Sequence, residues 1–318
     1  MGIEELSREQ IQALLDRGRY YQPMQAQSVK KLDILRGKTI VNLFFEASTR
    51  TRTSFEIAAK RLGADTVSIS ASGSSLSKGE SLVDTLNTLA AMRPDAIVMR
   101  HAASGAPHFL ARVLGIPIVN AGDGAHEHPT QALLDAVTIL DHKRSLEGLR
   151  VAIIGDIAHS RVARSNLHLL SKFGVDLVLC GPAPLLPREL APLAPGITLT
   201  TNLREAVAGA DVIMMLRVQL ERQHETTFPK SEYFQFYGLD LEHLKLAKPG
   251  AIVMHPGPIN RGREIASEVA DSSSSVILNQ VENGVAVRMA VLEQVTGCGS
   301  TGIPAGFSGD LGASAPRR

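Results

Sequence analysis

Residues 38–62 read KTIVNLFFEASTRTRTSFEIAAKRL, and the fold is decided by this stretch. KTIVNLFF (38–45) has the apolar density of a buried strand. Phe55, Ala58, Ala59 and Leu62 then recur at i, i+3, i+4 and i+7, the period of a helix with one buried face. Between them stand Ser48-Thr49-Arg50-Thr51-Arg52, five consecutive polar donors at a strand-to-helix turn. A helix N-terminus offers unpaired backbone N–H groups and the positive end of the helix dipole. Three hydroxyls and two guanidiniums added there match a phosphate, whose oxygens arginine binds in pairs. The bland alternative is an ordinary cap with solvated arginines. A single Ser or Thr would favour it, and five donors in a row argue against it. No GxxxxGK[ST] is present, so the turn is not a Walker A loop.

The same alternation continues outward. TVSIS (66–70), AIVMR (96–100) and IPIVN (116–120) read as strands, with helices at SLVDTLNTLAAM and HFLARVL between them. Ser7 and Gln10 form a capping box for a first helix over about 8–18. HPTQALLDAVTILDHK (128–143) reads as a long helix, closed by the turn SLEG. A second set follows: RVAIIGD (150–156), DLVLC (176–180), DVIMML (211–216) and AIVMHP (251–256) as strands, with SRVARSNLHLLSKF among the helices. A last helix near 280–296 carries VENGVAVRMAVLEQV. Such alternation predicts an α/β fold of two domains, each a parallel sheet flanked by helices. The 128–143 helix joins them, and the last helix is free to return to the first domain. GSTGIPAGFSGDLGASAPRR (299–318) has little to bury and is read as a disordered tail.

The 318 residues suffice for two domains of ordinary size. A net charge of +1 provides no global field for nucleic acid or a membrane surface, so any anion must be held by local geometry. Cys180 and Cys298 stand far apart without a CxxC, which argues against a disulfide framework or a zinc site and suits the cytoplasm. MGIEELSREQ lacks the apolar core of a signal peptide, and Leu6 stands where a myristoylation signal needs Ser or Thr. No apolar run reaches the length of a membrane span.

Three further segments put polar groups at strand C-termini, where open α/β sheets bind ligands. Arg100-His101 ends AIVMR, His128-Pro129-Thr130-Gln131 follows IPIVN, and His255-Pro256-Gly257-Pro258 ends AIVMHP. A lone histidine is more often structural than catalytic, so the signal lies in their convergence. In the second half Gly155-Asp156 has no partner glycines, which excludes a GxGxxG dinucleotide turn. Arg161 and Arg217 remain at those strand ends. As a pair they suit a small dicarboxylate; separately, each reads equally well as a surface ion-pair residue. Lys78, in the polar loop SSLSKGES (74–81), reads by default as a solvated charge.

FFEASTRTRTSFE, SLSKGES, VMRH, HPTQALLD, LRVQLER and HPGPINRG, in this order and spanning the chain to about residue 298, resemble the catalytic chains of the aspartate carbamoyltransferase family. HPGP and RVQ point to the aspartate branch; an ornithine-type enzyme is expected to carry HCLP and an SMG loop. The resemblance implies the carbamoyltransferase fold, with a carbamoyl-phosphate domain over 1–130 plus 284–298 and an aspartate domain over 131–283. It implies transfer of a carbamoyl group from carbamoyl phosphate to the amino group of L-aspartate, in de novo pyrimidine biosynthesis, with no cofactor and no metal.

It also implies roles. Ser48, Thr49, Arg50 and Thr51 hold the phosphate. Thr51, Arg100 and His128 contact the carbamoyl oxygen. Gln131 and the backbone at Gly257 and Pro258, joined by a cis peptide, hold the NH2 group. Some members carry a bulky residue at the position of Gly257, so that contact comes from backbone here. Arg161 and Arg217 clamp the aspartate carboxylates, with Gln219 nearby. Ser75 and Lys78 enter from a neighbouring subunit, which makes a cytoplasmic homotrimer the minimal active unit and leaves room for a regulatory or dihydroorotase-like partner chain. Arg50, Thr51, Arg100 and His128 are the expected catalytic set. An oxyanion donor of this kind is typically worth ~3 kcal/mol. The leaving phosphate can take the proton of the incoming amine; His128 as general base is the competing assignment. Residues 218–238 read as a structureless connection that closes over aspartate, with Glu46 pairing Arg161 in the closed state. The rival readings are a carbamoyltransferase acting on ornithine and a non-catalytic nucleotide-binding or regulatory protein.

Overall fold

The computed structural model describes residues 2–70, 81–193, 196–217 and 230–297. Ser75, Lys78, Gln219 and the 299–318 tail lie outside them. The chain forms two domains. In the first, α1 (Arg8–Tyr21) starts at the expected capping box: Ser7 accepts the Gln10 N–H, and the Gln10 side chain accepts the Ser7 N–H. Then come β1 (Thr39–Phe44), α2 (Thr49–Arg61), β2 (Asp65–Ser70), α3 (Leu82–Ala91), β3 (Ala96–His101), α4 (Ala106–Leu114) and β4 (Ile118–Asp123). These strands form a parallel sheet in the order β2-β1-β3-β4. β1 is buried almost throughout, while β2 lies at the edge and is half exposed.

The helix α5 (Pro129–Lys143) follows, buried from Pro129 through Leu140. In the second domain β5 (Arg150–Ile154), α6 (Arg161–Ser171), β6 (Asp176–Cys180), β7 (Ile197–Thr200), α7 (Leu203–Val207) and β8 (Val212–Met215) are followed by α8 (Lys230–Tyr237), α9 (Leu241–Leu244) and β9 (Ile252–Met254). Its sheet is also parallel, in the order β7-β6-β5-β8-β9. Two helices close the described chain, α10 (Ser267–Ala270) and α11 (Ile277–Val295). α11 packs on α1 and α2 of the first domain and on the joining helix α5. One apolar cluster, running from Ile3 through Phe55, Leu133 and Val151 to Leu292, continues through both domains. Burying a side chain such as Phe55 completely contributes about 1.5–3 kcal/mol.

The strand orders place the site. Each sheet has a point where successive crossovers leave in opposite directions: between β1 and β3 in the first, between β5 and β8 in the second. Crevices open there, at the strand C-termini. Those four ends lead to Ser48, Arg100, Arg161 and Arg217 respectively.

The fold departs from the sequence expectations at several places. β7 was not expected, because ITLT is short and follows a proline-rich approach. Residues 218–238 are not structureless throughout. α8 occupies 230–237, with Tyr233 and Tyr237 one turn apart, ring centroids 5.6 Å from each other, and both buried. Two aromatics at helical spacing carry that helix, and its polar surroundings hid them; residues 218–229 are outside the described part. α11 starts at Ile277, a turn before the expected start. β9 stops at Met254, since the chain turns through His255–Pro258.

Candidate active site

A cavity of about 600 Å³ lies between the two domains, at the strand ends just named. Ser48 is the N-cap of α2, yet its side chain makes no capping hydrogen bond, which leaves the hydroxyl beside the cavity. Thr49, Arg50 and Thr51 form the first turn and also line it. Across the cavity the Gly257–Pro258 peptide is cis, as expected, and Gly257 has φ +66°. A Cβ there would sit 2.8 Å from Arg50 Cζ, so the absence of a side chain lets the Arg50 guanidinium lie against this backbone. The turn is braced from behind. His255 Nδ1 accepts the Gly257 N–H at 2.7 Å, which leaves the ring proton on Nε2, 3.2 Å from buried Glu264.

Arg100 comes from the end of β3, and Arg161 from the first turn of α6. Both donate to Glu46 Oε2, at 3.2 and 2.9 Å, and Arg161 also reaches the Gly124 carbonyl at 3.2 Å. The Glu46–Arg161 pair expected for a closed arrangement is thus formed here, and Glu46 bridges the domains. Arg217, at the end of β8, lines the cavity too. Arg50 and Arg161 therefore face one space rather than separate surfaces.

His128 is buried at the N-terminus of α5, with its backbone N–H donating to Ser165 Oγ at 2.9 Å. Burial, followed by the charges of Arg100, Arg161 and Arg288, holds its imidazole well below the usual histidine range. It is a neutral ring at pH 7. Gln131, one turn on, donates to Asp135 Oδ1 at 2.9 Å; Gln280 donates to the same oxygen at 2.7 Å, and Asn166 to Oδ2 at 2.9 Å. Burial nevertheless pushes the Asp135 carboxyl up to about 6, against those three hydrogen bonds. Burial, and then the charge of Arg217, lowers the Arg50 guanidinium.

Of the expected site residues, Ser48, Thr49, Arg50, Thr51, Arg100, His128, Gln131, Arg161, Arg217, Gly257 and Pro258 all line this cavity. Ser75, Lys78 and Gln219 are outside the described residues. His101 does not line it. Its Nδ1 accepts the Ala103 N–H at 2.9 Å and its ring packs edge-on to Phe45, both structural contacts. The sequence reading missed Arg288 of α11, which also lines the cavity. A signal was present: an arginine among Val285, Val287, Met289 and Val291, on a helix otherwise apolar there. Also missed was a group of His108, Asp123 and His126, whose ligand atoms lie within 4.8 Å of one another, apart from the cavity lining. Cys180, buried in the second domain, has its thiol pushed up to about 12 and is no nucleophile.

Among the described residues, then, five guanidiniums and one carboxylate, Glu46, face this cavity. Such a space favours small, multiply charged anions.

Residues 1–141 match the family model for the aspartate/ornithine carbamoyltransferase carbamoyl-P binding domain, and residues 147–295 that for the Asp/Orn binding domain. The chain is 78% identical over 297 residues to the aspartate carbamoyltransferase catalytic subunit of Solibacter usitatus, covering 93% of this chain and 98% of that one. It is similar to the crystal structure of aspartate transcarbamoylase from Trypanosoma cruzi in complex with carbamoyl phosphate and aspartate, with TM-score 0.82 and 33% identity over 92% of this chain and 95% of that one. It is also similar to ornithine carbamoyltransferase from Pyrococcus furiosus, with TM-score 0.84 and 30% identity over 93% and 96%.

Proposed function

The chain belongs to the aspartate/ornithine carbamoyltransferase family, and from that premise we propose that its arginine-lined cavity carries out the aspartate reaction. The chain is an enzyme: it transfers the carbamoyl group of carbamoyl phosphate to the amino group of L-aspartate and releases phosphate. One observation supports this site above all, the convergence of five guanidiniums on a space with one carboxylate among the described residues. It suits a phosphate and two carboxylates together. Ornithine would bring an ammonium side chain into the same field, at a Coulombic cost that rises as the site desolvates.

In the proposed assignment Ser48, Thr49, Arg50 and Thr51 hold the phosphate at the N-terminus of α2. Thr51, Arg100 and His128 donate to the carbamoyl oxygen. Gln131 and the backbone at Gly257 and Pro258 hold the carbamoyl NH2, while Arg161 and Arg217 take the carboxylates, with Gln219 beside them. The aspartate amine attacks the carbonyl carbon, and the C–O bond to phosphate breaks as the tetrahedral oxyanion collapses. A buried imidazole with its pKa driven down is a weak base but still an N–H donor, which favours a donor role for His128. The proton lost by the amine then goes to the departing phosphate, an adjacent basic oxygen. Positioning and fixed charge supply the rate.

The same proposal takes residues 1–130 plus 284–298 as the carbamoyl-phosphate domain and 131–283 as the aspartate domain, supported by the packing of α11 on α1 and α2. It takes the active unit as a cytoplasmic homotrimer in which Ser75 and Lys78 complete a neighbour's site; no described helix is long and apolar enough to cross a membrane. The deciding experiment incubates the enzyme with carbamoyl phosphate and either aspartate or ornithine. Carbamoylaspartate is the expected product. Citrulline formed at the higher kcat/KM would overturn the assignment.

A further inference from the structure

Arg288 is among the most buried cations of the described residues, with 4% of its surface exposed. It comes from α11 and lines the cavity, and among the described residues no ion pair within 4 Å includes it. Its Nη1 donates to Ser54 Oγ at 2.9 Å and to the Gly284 carbonyl at 3.0 Å, and its Cζ lies 5.1 Å from the centre of the Phe55 ring. Its buried Nε has no hydrogen-bond partner among the described residues. Ser54 lies one turn after Arg50 on α2, hence on the same helix face. A desolvated cation with no carboxylate in direct contact is costly, and a fold keeps one where an anion arrives to meet it.

We propose that Arg288 is a positioning residue of the phosphate site, fixing the first turns of α2 through Ser54 and Phe55 while its charge forms the back wall that the anion meets. The inference rests on the reading of the cavity as a carbamoyl-phosphate site, and it adds a residue from the last helix that no motif of the sequence marked. Burial, with Arg100 nearby, lowers its guanidinium to about 10, which still leaves it charged at neutral pH. Its field reaches His128 together with those of Arg100 and Arg161, and Asp135 opposes it from α5.

The test compares wild type, R288M, R288K and S54A. Inorganic phosphate affinity is measured by calorimetry, steady-state kinetics are run with both substrates, and urea midpoints report folding. R288M should weaken phosphate binding and raise the KM for carbamoyl phosphate on the order of tenfold, short of the hundredfold that a 1 Å misplacement can cost. The aspartate KM at saturating carbamoyl phosphate should move far less. R288K should restore most of the phosphate affinity, and S54A should lose a smaller part of it. Folded R288M with wild-type phosphate affinity would overturn the proposal. So would equal losses for both substrates in R288M and R288K alongside a lower urea midpoint, the pattern of a purely structural residue. If R288M does not fold, R288K and S54A still decide it: unchanged phosphate affinity in both refutes it. Wild type that binds phosphate but makes no carbamoylaspartate would sink the reaction assignment and leave the calorimetric comparison valid.

Discussion

Replacing Glu46 separates two opposite views of its role. Its Oε2 accepts from Arg100 Nε at 3.2 Å and from Arg161 Nη2 at 2.9 Å, and the side chains of Arg100, Glu46 and Arg161 are 14%, 22% and 6% exposed. If Glu46 merely occupies arginines that substrates need, removing it should improve binding. If it holds both guanidiniums in place and offsets their repulsion, removing it should cost activity. Breaking a buried pair costs about 3–5 kcal/mol, and an exposed one about 0–1. A carboxylate that keeps a fifth of its surface in water falls between, at ~2–3 kcal/mol. At 1.4 kcal/mol per factor of ten this is roughly a 30- to 150-fold loss. Glu46→Ala should show that loss in kcat/KM for aspartate at saturating carbamoyl phosphate. Glu46→Gln keeps the shape and an acceptor oxygen and should fall between Ala and wild type. A kcat/KM for aspartate equal to wild type, or higher, would refute the bracing role.

Other changes test separate parts of the molecule. Arg50→Ala should abolish measurable turnover, whereas Arg217→Ala should raise the aspartate KM on the order of a hundredfold and leave phosphate affinity near wild type; steady-state kinetics and calorimetry read both. Glu293 accepts from Arg17 Nε and Nη2 at 2.6 Å each and from Tyr21 Oη at 2.7 Å, docking α11 on α1. Glu293→Ala should lower stability by about 3 kcal/mol in urea titrations, with both KM values unchanged. Asp135 titrates near 3.8 unfolded and about 6 folded. The folded state therefore holds a proton that the unfolded chain has already released, and stability falls as pH rises through that window. The loss relative to Asp135→Asn should be on the order of 3 kcal/mol between pH 4 and 6, read from urea midpoints at stepped pH.

Much of the fold was legible because its signals are local. The capping box at Ser7 and Gln10, the strand at 38–45 and the Phe55–Leu62 helix each depend on residues within a turn or two of one another. β7 and α8 escaped for the converse reason. Ile197–Thr200 is a strand because it pairs with β6, and α8 is a helix because Tyr233 and Tyr237 face the second core. Neither partner is visible in the local pattern.

The sequence by itself determined which chemistry this chain can hold: hydroxyls and guanidiniums at strand-to-helix turns, and glycine where Arg50 lies against backbone. Tertiary structure alone decided which of those groups meet. Arg100 and Arg161, 61 positions apart, share one oxygen of Glu46, and Arg288 reaches the cavity from the far end of the chain. Periodicity reports which face of an element is buried. It does not report which distant element buries that face, because such contacts arise only when the two sheets and α11 pack around a common core. Arg288, charged within an apolar run, therefore went unmarked in the sequence, and the packing of α11 on α2 is what gives it a cavity to face.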